Sequence, residues 1–335
     1  MIKLAINGFG RIGRLAFRIA LEYPEQIRVV AINTSGKMDV AGWAYLLQYD
    51  TAYGKYEKKI KVEKEGFTIE NVHYPIFGER NPAKLPWKKY NVDVVLESTG
   101  VFRDYENASQ HLKAGAKKVL ISAPAKSDNI PTYLMGVNLT KYQGEKIIDG
   151  ASCTTNAAAP VLKVVLENFG IKSAFLTTVH AYTGDQRLQD GSHRDLRRAR
   201  AASENIIPTS TGASKATIKA IPELAGKLEG LAIRVPTLVG SLIDLVVALE
   251  KNVNADEINQ VFIKAGSSNL KGILGTTNEP LVSSDIIGSS YSAVVDLSLT
   301  KVIDGNLAKI VVWYDNEWTA SKRLIETAIY IGERG

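Results

Sequence analysis

The chain of 335 residues carries a single cysteine, Cys153. One cysteine excludes an intramolecular disulfide, so this thiol either packs as a small hydrophobe or does chemistry. No apolar run approaches the roughly 18 residues of a membrane-spanning helix, and no membrane partner is expected. Nothing at the N-terminus resembles a secretory leader, since Met1–Asn7 leads straight into a strand-like segment; with the lone thiol, the cytoplasm is the expected location. Without a second cysteine or a histidine pair at ligand spacing, no metal site is expected. Internal repeats and low-complexity tails are absent. Charge of one sign is also scarce: 41 basic against 35 acidic residues give a net +6, spread along the chain. The densest basic run, His193–Arg200, lacks the interleaved aromatics of single-strand binders, so nucleic acid is not the expected partner. It suits a phosphate site or ion pairs between subunits equally well. The length suggests two domains, each with its own core.

At the N-terminus, the apolar segment Lys3–Asn7 runs into Gly8-Phe9-Gly10-Arg11-Ile12-Gly13 and then a helical pattern, Arg14–Leu21. This is G-x-G-x-x-G between a strand and a helix, the setting that binds a dinucleotide. Gly8 permits the tight turn, Gly10 lets backbone approach a pyrophosphate, and Gly13 allows close helix–strand packing. The second strand, Ile27–Asn33, ends 20 residues past Gly13, where an acidic side chain normally holds the adenosine ribose. Asn33-Thr34-Ser35-Gly36 carries no charge, so a 2′-phosphate is not repelled and NADP becomes acceptable. Equally, Asn33 could bond a ribose hydroxyl of NAD. Strands are predicted at Val92–Gly100 and Lys117–Pro124, with a crossover helix over 105–114.

Cys153 follows a strand, Lys146–Asp149, and opens a helix running to about Asn168. The positive end of that helix favours thiolate, and Ser152, Thr154, Thr155 and Asn156 make a polar collar that a packing cysteine does not need. The next strand, Ile171–His180, delivers a histidine that is either structural or the partner base of the thiol. Thr211 and Gly212 sit in a hydroxyl-rich turn opening a helix, a ready anion site. In the strand Leu228–Val235, Arg234 lies among apolar neighbours and needs an anionic partner, either a substrate phosphate or a structural carboxylate.

Six ordered blocks now resemble the phosphorylating glyceraldehyde-3-phosphate dehydrogenases over nearly the whole chain: Asn7–Arg14, Ala151–Asn156, His180–Thr183, Asp195–Ala202, Ile206–Ala213 and Trp313–Trp318. The resemblance implies a Rossmann-like α/β dinucleotide-binding domain at 1–151, completed by the terminal helix 317–335, and an α+β catalytic domain at 152–316 with a largely antiparallel sheet. It implies Cys153 as nucleophile toward glyceraldehyde 3-phosphate. His180 would be its ion-pair partner, lowering the thiol pKa and taking the hydroxyl proton. The substrate phosphate would lie against Thr183 and Arg234, with Arg198 near both anion sites, and inorganic phosphate near Ser152, Thr154, Thr211 and Gly212. Arg11 and Ile12 would follow the pyrophosphate, Arg80, Thr99 and Ser122 would line the adenosine and nicotinamide sides, and Asn316 would hold the carboxamide. A homotetramer is implied, with contacts at the loop Gly191–Arg200.

Two departures bear on the cofactor. Beside Asn33 and Thr34, Gly191-Ser192 replaces the Leu-Pro of NAD-specific members, in a loop that reaches a neighbouring subunit's ribose; Ser192 would accommodate a 2′-phosphate. Thr319-Ala320 replaces Gly-Tyr, removing an aromatic near the nicotinamide. Two rival readings stand beside the main one. An erythrose-4-phosphate dehydrogenase on the same scaffold would release its acid with water, but the hydroxyl collar favours phosphate. A non-catalytic, dinucleotide-bound RNA-binding protein would not need Cys153 together with His180.

Overall fold

The computed structural model describes residues 1–334 and divides into two compact units. The first comprises Met1–Tyr133, Leu139–Ala151 and the chain from Ser321; the second comprises Leu134–Asn138 and Ser152–Ala320. Of the expected terminal segment 317–335, Gly335 lies outside the described residues.

The first unit is built on an eight-stranded sheet. Its strand order is Ile147–Asp149, Lys118–Ile121, Val94–Glu97, Ile2–Asn7, Ile27–Asn33, Val72–Phe77, Gly66–Ile69, Lys61–Glu63. The first six strands pair in parallel and the last two antiparallel. Val94–Glu97 and Lys118–Ile121 are buried at every position, as central parallel strands covered on both faces must be. Both are shorter than the sequence suggests. The strand ending at Glu97 stops because the next turn folds back on it: Thr99 N–H donates to Glu97 Oε1 at 2.9 Å. The first helix, Arg11–Ala20, starts three residues earlier than expected, directly after Gly10. The final helix, Trp318–Gly332, is fixed at its C-terminus by the buried Lys118, whose Nζ donates to the carbonyls of Ile331 at 2.7 Å and Arg334 at 3.1 Å.

The second unit carries a seven-stranded sheet ordered Ile207–Ser210, Leu228–Val235, Ile171–Ala181, Ser241–Leu249, Leu307–Tyr314, Ala293–Ile303, Leu274–Thr277. Four of its six pairings are antiparallel. Ser241–Leu249 alternates between buried and more exposed positions, so one face of the sheet packs against helices such as Cys153–Phe169. Ile171–Ala181 pairs in parallel with Leu228–Val235, in a register that sets His180 beside Arg234. Among the described residues no helix is long and apolar enough to cross a membrane.

Candidate active site

Two separate constellations emerge, one in each unit. In the first, Gly8, Gly10, Asn33, Thr34, Arg80 and Thr99 line a cleft of about 470 Å³ at the carboxyl ends of the parallel strands. Gly8 has φ of +100°, and a side chain there would press on the backbone of Ser98 and Thr99 at 2.7 Å. A Cβ at Gly13 would fall on the carbonyl oxygen of Gly8, whereas one at Gly10 would meet open space. The helix after Gly10 has no side-chain cap, so its first N–H groups are available to an anion. These features fit a pyrophosphate. Arg11, Ile12, Gly13 and Ser122 do not line the cleft, and the Arg11 guanidinium is bonded to Asp50 at 3.0 and 3.2 Å. Ser192 and Asn316 belong to the second unit.

Beneath the cleft lies a hydrogen-bond network that the sequence did not announce. Trp87 Nε1 donates to His111 Nδ1 at 2.9 Å, which leaves the proton on Nε2, 3.1 Å from Glu97 Oε2. Asn7 Nδ2 donates to the same carboxylate oxygen at 2.5 Å. Asn33 Nδ2 donates in turn to Asn7 Oδ1 at 2.7 Å and to the Glu79 carbonyl at 2.8 Å, and Asn33 Oδ1 accepts from Glu79 N–H at 3.0 Å. Asn33 lines the cleft with these bonds already made. It ends the second strand with its side chain turned inward, and both its N–H groups and its oxygen are engaged. Thr34 is similarly occupied, donating its hydroxyl to Phe77 O at 3.1 Å and accepting from Gly36 N–H at 3.2 Å.

In the second unit, Ala151 turns the chain with φ of +58°, Ser152 caps the helix by accepting from Thr155 N–H at 3.2 Å, and Cys153 is the first helical residue. Its Sγ lies 3.3 Å from His180 Nε2. On the far side of the imidazole, Nδ1 lies 2.6 Å from the Ala181 carbonyl and 2.9 Å from Arg234 Nη1. The carbonyl requires a proton on Nδ1, while the guanidinium, a donor only, requires that nitrogen bare. Arg234 also reaches Thr183 Oγ1 at 3.5 Å, yet among the described residues its Nε is buried without a hydrogen-bond partner and no carboxylate pairs with it.

These surroundings bear on the expected ion pair of Cys153 and His180. Burial pushes the Cys153 thiol up, more than the Arg234 charge draws it down. Burial, then Arg234, pull His180 down to about 3. An imidazolium buried beside the partly buried Arg234 guanidinium is doubly disfavoured, so both directions oppose charge separation between the thiol and the imidazole.

The proposed phosphate ligands are only partly assembled. Thr154 Oγ1 lies 3.0 Å from Tyr314 Oη and 4.0 Å from Cys153 Sγ. Thr211 caps its own turn, accepting from Ala213 N–H at 3.1 Å, and Gly212 begins the helix Ala213–Ala220. No hydrogen bond given by the structure joins either to Ser152 or Thr154. Arg198 is held by Asp185 at 2.5 Å and by Thr209 Oγ1 at 2.9 Å. Asn316 is buried, its Oδ1 accepting from Gly240 N–H at 3.1 Å and the Ser241 hydroxyl at 3.0 Å. Thr319, at the departure from Gly-Tyr, donates to the carbonyls of Ser289 and Tyr291, each at 2.9 Å.

One site residue escaped sequence reasoning. Tyr314 Oη bridges Thr154 and Thr178, the latter at 2.7 Å, and its ring stands edge-on to His180 at 6.0 Å. Its only signal was membership of the Trp313–Trp318 block. Among the described residues no group of three or more His, Cys, Asp or Glu side chains could hold a metal ion.

A nucleotide cleft on a parallel sheet and a thiol–imidazole pair on a mixed sheet together mark the class of nicotinamide-dependent dehydrogenases that work through cysteine. Comparison with known proteins gives the family. Residues 2–105 match the glyceraldehyde 3-phosphate dehydrogenase NAD binding domain, and residues 152–316 its C-terminal domain. The chain is 49% identical to glyceraldehyde-3-phosphate dehydrogenase 2 of Streptomyces avermitilis, over 99% of each chain. It is 50% identical to glyceraldehyde-3-phosphate dehydrogenase of Streptomyces coelicolor, again over 99% of each. Glyceraldehyde-3-phosphate dehydrogenase 1 of Bacillus subtilis is 49% identical, over 100% of this chain and 99% of its own. The chain belongs to the glyceraldehyde-3-phosphate dehydrogenase family.

Proposed function

We propose that this chain catalyses the reversible oxidative phosphorylation of D-glyceraldehyde 3-phosphate to 1,3-bisphosphoglycerate. The observation that carries this reading is Cys153 Sγ, at the first turn of a capped helix, 3.3 Å from His180 Nε2. Names of relatives that span the whole chain support the substrate and the reaction. Residues 1–151 with the terminal helix bind the dinucleotide, and 152–316 carry the chemistry.

With Nδ1–H donating to the Ala181 carbonyl, Nε2 is bare and takes the thiol proton as sulfur adds to the aldehyde carbon. The resulting thiohemiacetal oxygen takes up that proton. His180 then accepts the hydroxyl proton while hydride leaves the same carbon, giving a thioester on Cys153. Bound NAD supplies the hydride acceptor. A phosphate oxygen attacks the thioester, the C–S bond breaks, and the departing sulfur regains its proton from His180. Arg234, partly buried and with no carboxylate paired to it among the described residues, takes the substrate phosphate together with Thr183, and Arg198 flanks it. Once neutralised by that phosphate, Arg234 no longer opposes the imidazolium, so His180 becomes a stronger base with substrate in place. Ser152, Thr211 and Gly212 hold the attacking phosphate, and Asn316 the carboxamide.

NADP serves as a second acceptor, since Thr34–Gly36 carries no carboxylate and Ser192 can reach the ribose of a neighbouring copy. A homotetramer is in keeping with Leu188, Leu196 and Ile206, which are 76%, 81% and 70% exposed around the same loop. The lone thiol suits cytoplasmic work. Steady-state assays with glyceraldehyde 3-phosphate and either nicotinamide cofactor, with and without phosphate, test the reading. Turnover that is independent of phosphate overturns it.

A further inference from the structure

We propose that Glu79 is the residue that reads the adenosine ribose and sets the preference between NAD and NADP; this rests on the dinucleotide reading of the first unit's cleft. The position after the second strand that normally supplies a carboxylate lines the cleft but has no charge to offer here. Asn33 is 4% exposed and its amide is consumed by Asn7 and by the Glu79 backbone. Thr34 is tied to Phe77 O and Gly36 N–H. Yet the inward turn of Asn33 has a second effect. Its amide pairs with both the N–H and the carbonyl of Glu79, at 3.0 and 2.8 Å, and so pins that residue's backbone to the end of the strand. The pin is anchored from below, because Asn33 donates to Asn7 and Asn7 donates to the buried Glu97.

Among the described residues Glu79 is thereby the sole acidic side chain lining the cleft, next to Asn33, Thr34 and Ser35. Its Oε1 accepts from Asn81 N–H at 2.7 Å, a turn that fixes the side chain and leaves Oε2 for a ligand. A half-exposed carboxylate held in this way can accept from a ribose hydroxyl and repels a phosphate in its place. The charge missing after the second strand is thus restored from a different loop, 46 residues further along the chain. Arg80 lines the same cleft with the opposite sign and is the one feature there that favours a 2′-phosphate.

The test compares the Kd of NAD and of NADP by calorimetric titration, and kcat/KM for each at saturating glyceraldehyde 3-phosphate and phosphate, in the parent protein, Glu79→Gln, Glu79→Ala and Arg80→Gln. Expected is a rise of about tenfold in the NADP-to-NAD ratio for both Glu79 variants, carried by KM rather than kcat, and a fall for Arg80→Gln. An unchanged or lower ratio in Glu79→Gln, with the parent active on either cofactor, overturns the role of Glu79. A parent that reduces neither cofactor overturns the dinucleotide reading itself. Because only a ratio is read, general loss of folded protein in a variant does not mimic the result. Should Glu79→Ala misfold, the isosteric Glu79→Gln decides alone.

Discussion

The floor of the nucleotide cleft and the pocket around Cys153 solve opposite problems. Under the cleft, Trp87, His111, Glu97, Asn7 and Asn33 are buried, and each polar atom described there finds a complementary partner. Around Cys153, burial works against every charge that the chemistry needs. The thiol is pushed up, the imidazole down to about 3, and the guanidinium of Arg234 keeps an unpartnered nitrogen. A satisfied buried network is rigid and holds a shape; an unsatisfied one is poised for a ligand that completes it. Binding is assigned to the first arrangement and reactivity to the second.

If that contrast holds, damage to the two regions should separate into lost activity and lost stability. The largest effect is expected from Cys153→Ala, which should abolish reduction of the nicotinamide, a fall of at least about 10⁴-fold, with the melting temperature unchanged. Residual turnover within about a hundredfold of the parent would contradict the nucleophile assignment. Arg234→Met should lower kcat/KM for glyceraldehyde 3-phosphate by roughly 10²–10³-fold while leaving thermal stability equal or higher, since it removes a partly buried charge with no carboxylate paired to it among the described residues. A clear loss of stability would mean that Arg234 is structural.

Glu97→Ala should show the reverse pattern. It strands Asn7, His111 and Thr99, and is expected to cost about 3 kcal/mol in denaturant unfolding, whatever happens to turnover. The smallest effect is in pH. His180 is held near 3 in the folded protein and returns to its ordinary value near 6.5 on unfolding. Between those values the unfolded chain binds the extra proton, so this residue's contribution to stability falls with falling pH, by up to about 1.4 kcal/mol per unit. His180→Gln should remove that part of the slope between pH 6 and 4, as followed by chemical unfolding; an identical slope would argue that the imidazole is charged at rest.

What could be read in advance follows physical locality. The glycine turn, Cys153 at its helix start and His180 at its strand end each declare themselves within ten residues, because backbone geometry and capping are local. Arg234 could be flagged as an arginine in an apolar strand, but its place beside His180 comes from a parallel register between strands more than fifty residues apart. Tyr314 reaches Thr154 across 160 residues and leaves no periodic trace. The partners of Asn33 were hidden for a related reason. A strand's last side chain faces the ligand or the interior depending on one residue of register, and here Asn7 and Glu79 draw it inward.

The solitary thiol has an analytical consequence as well as a chemical one. With one cysteine in 335 residues, a thiol-selective reagent can add its mass only at the site of reaction. Intact-mass measurement of alkylated protein therefore counts competent centres directly. The mass distribution of a partly labelled assembly would show whether its copies react independently or by halves, with no need to engineer away competing residues.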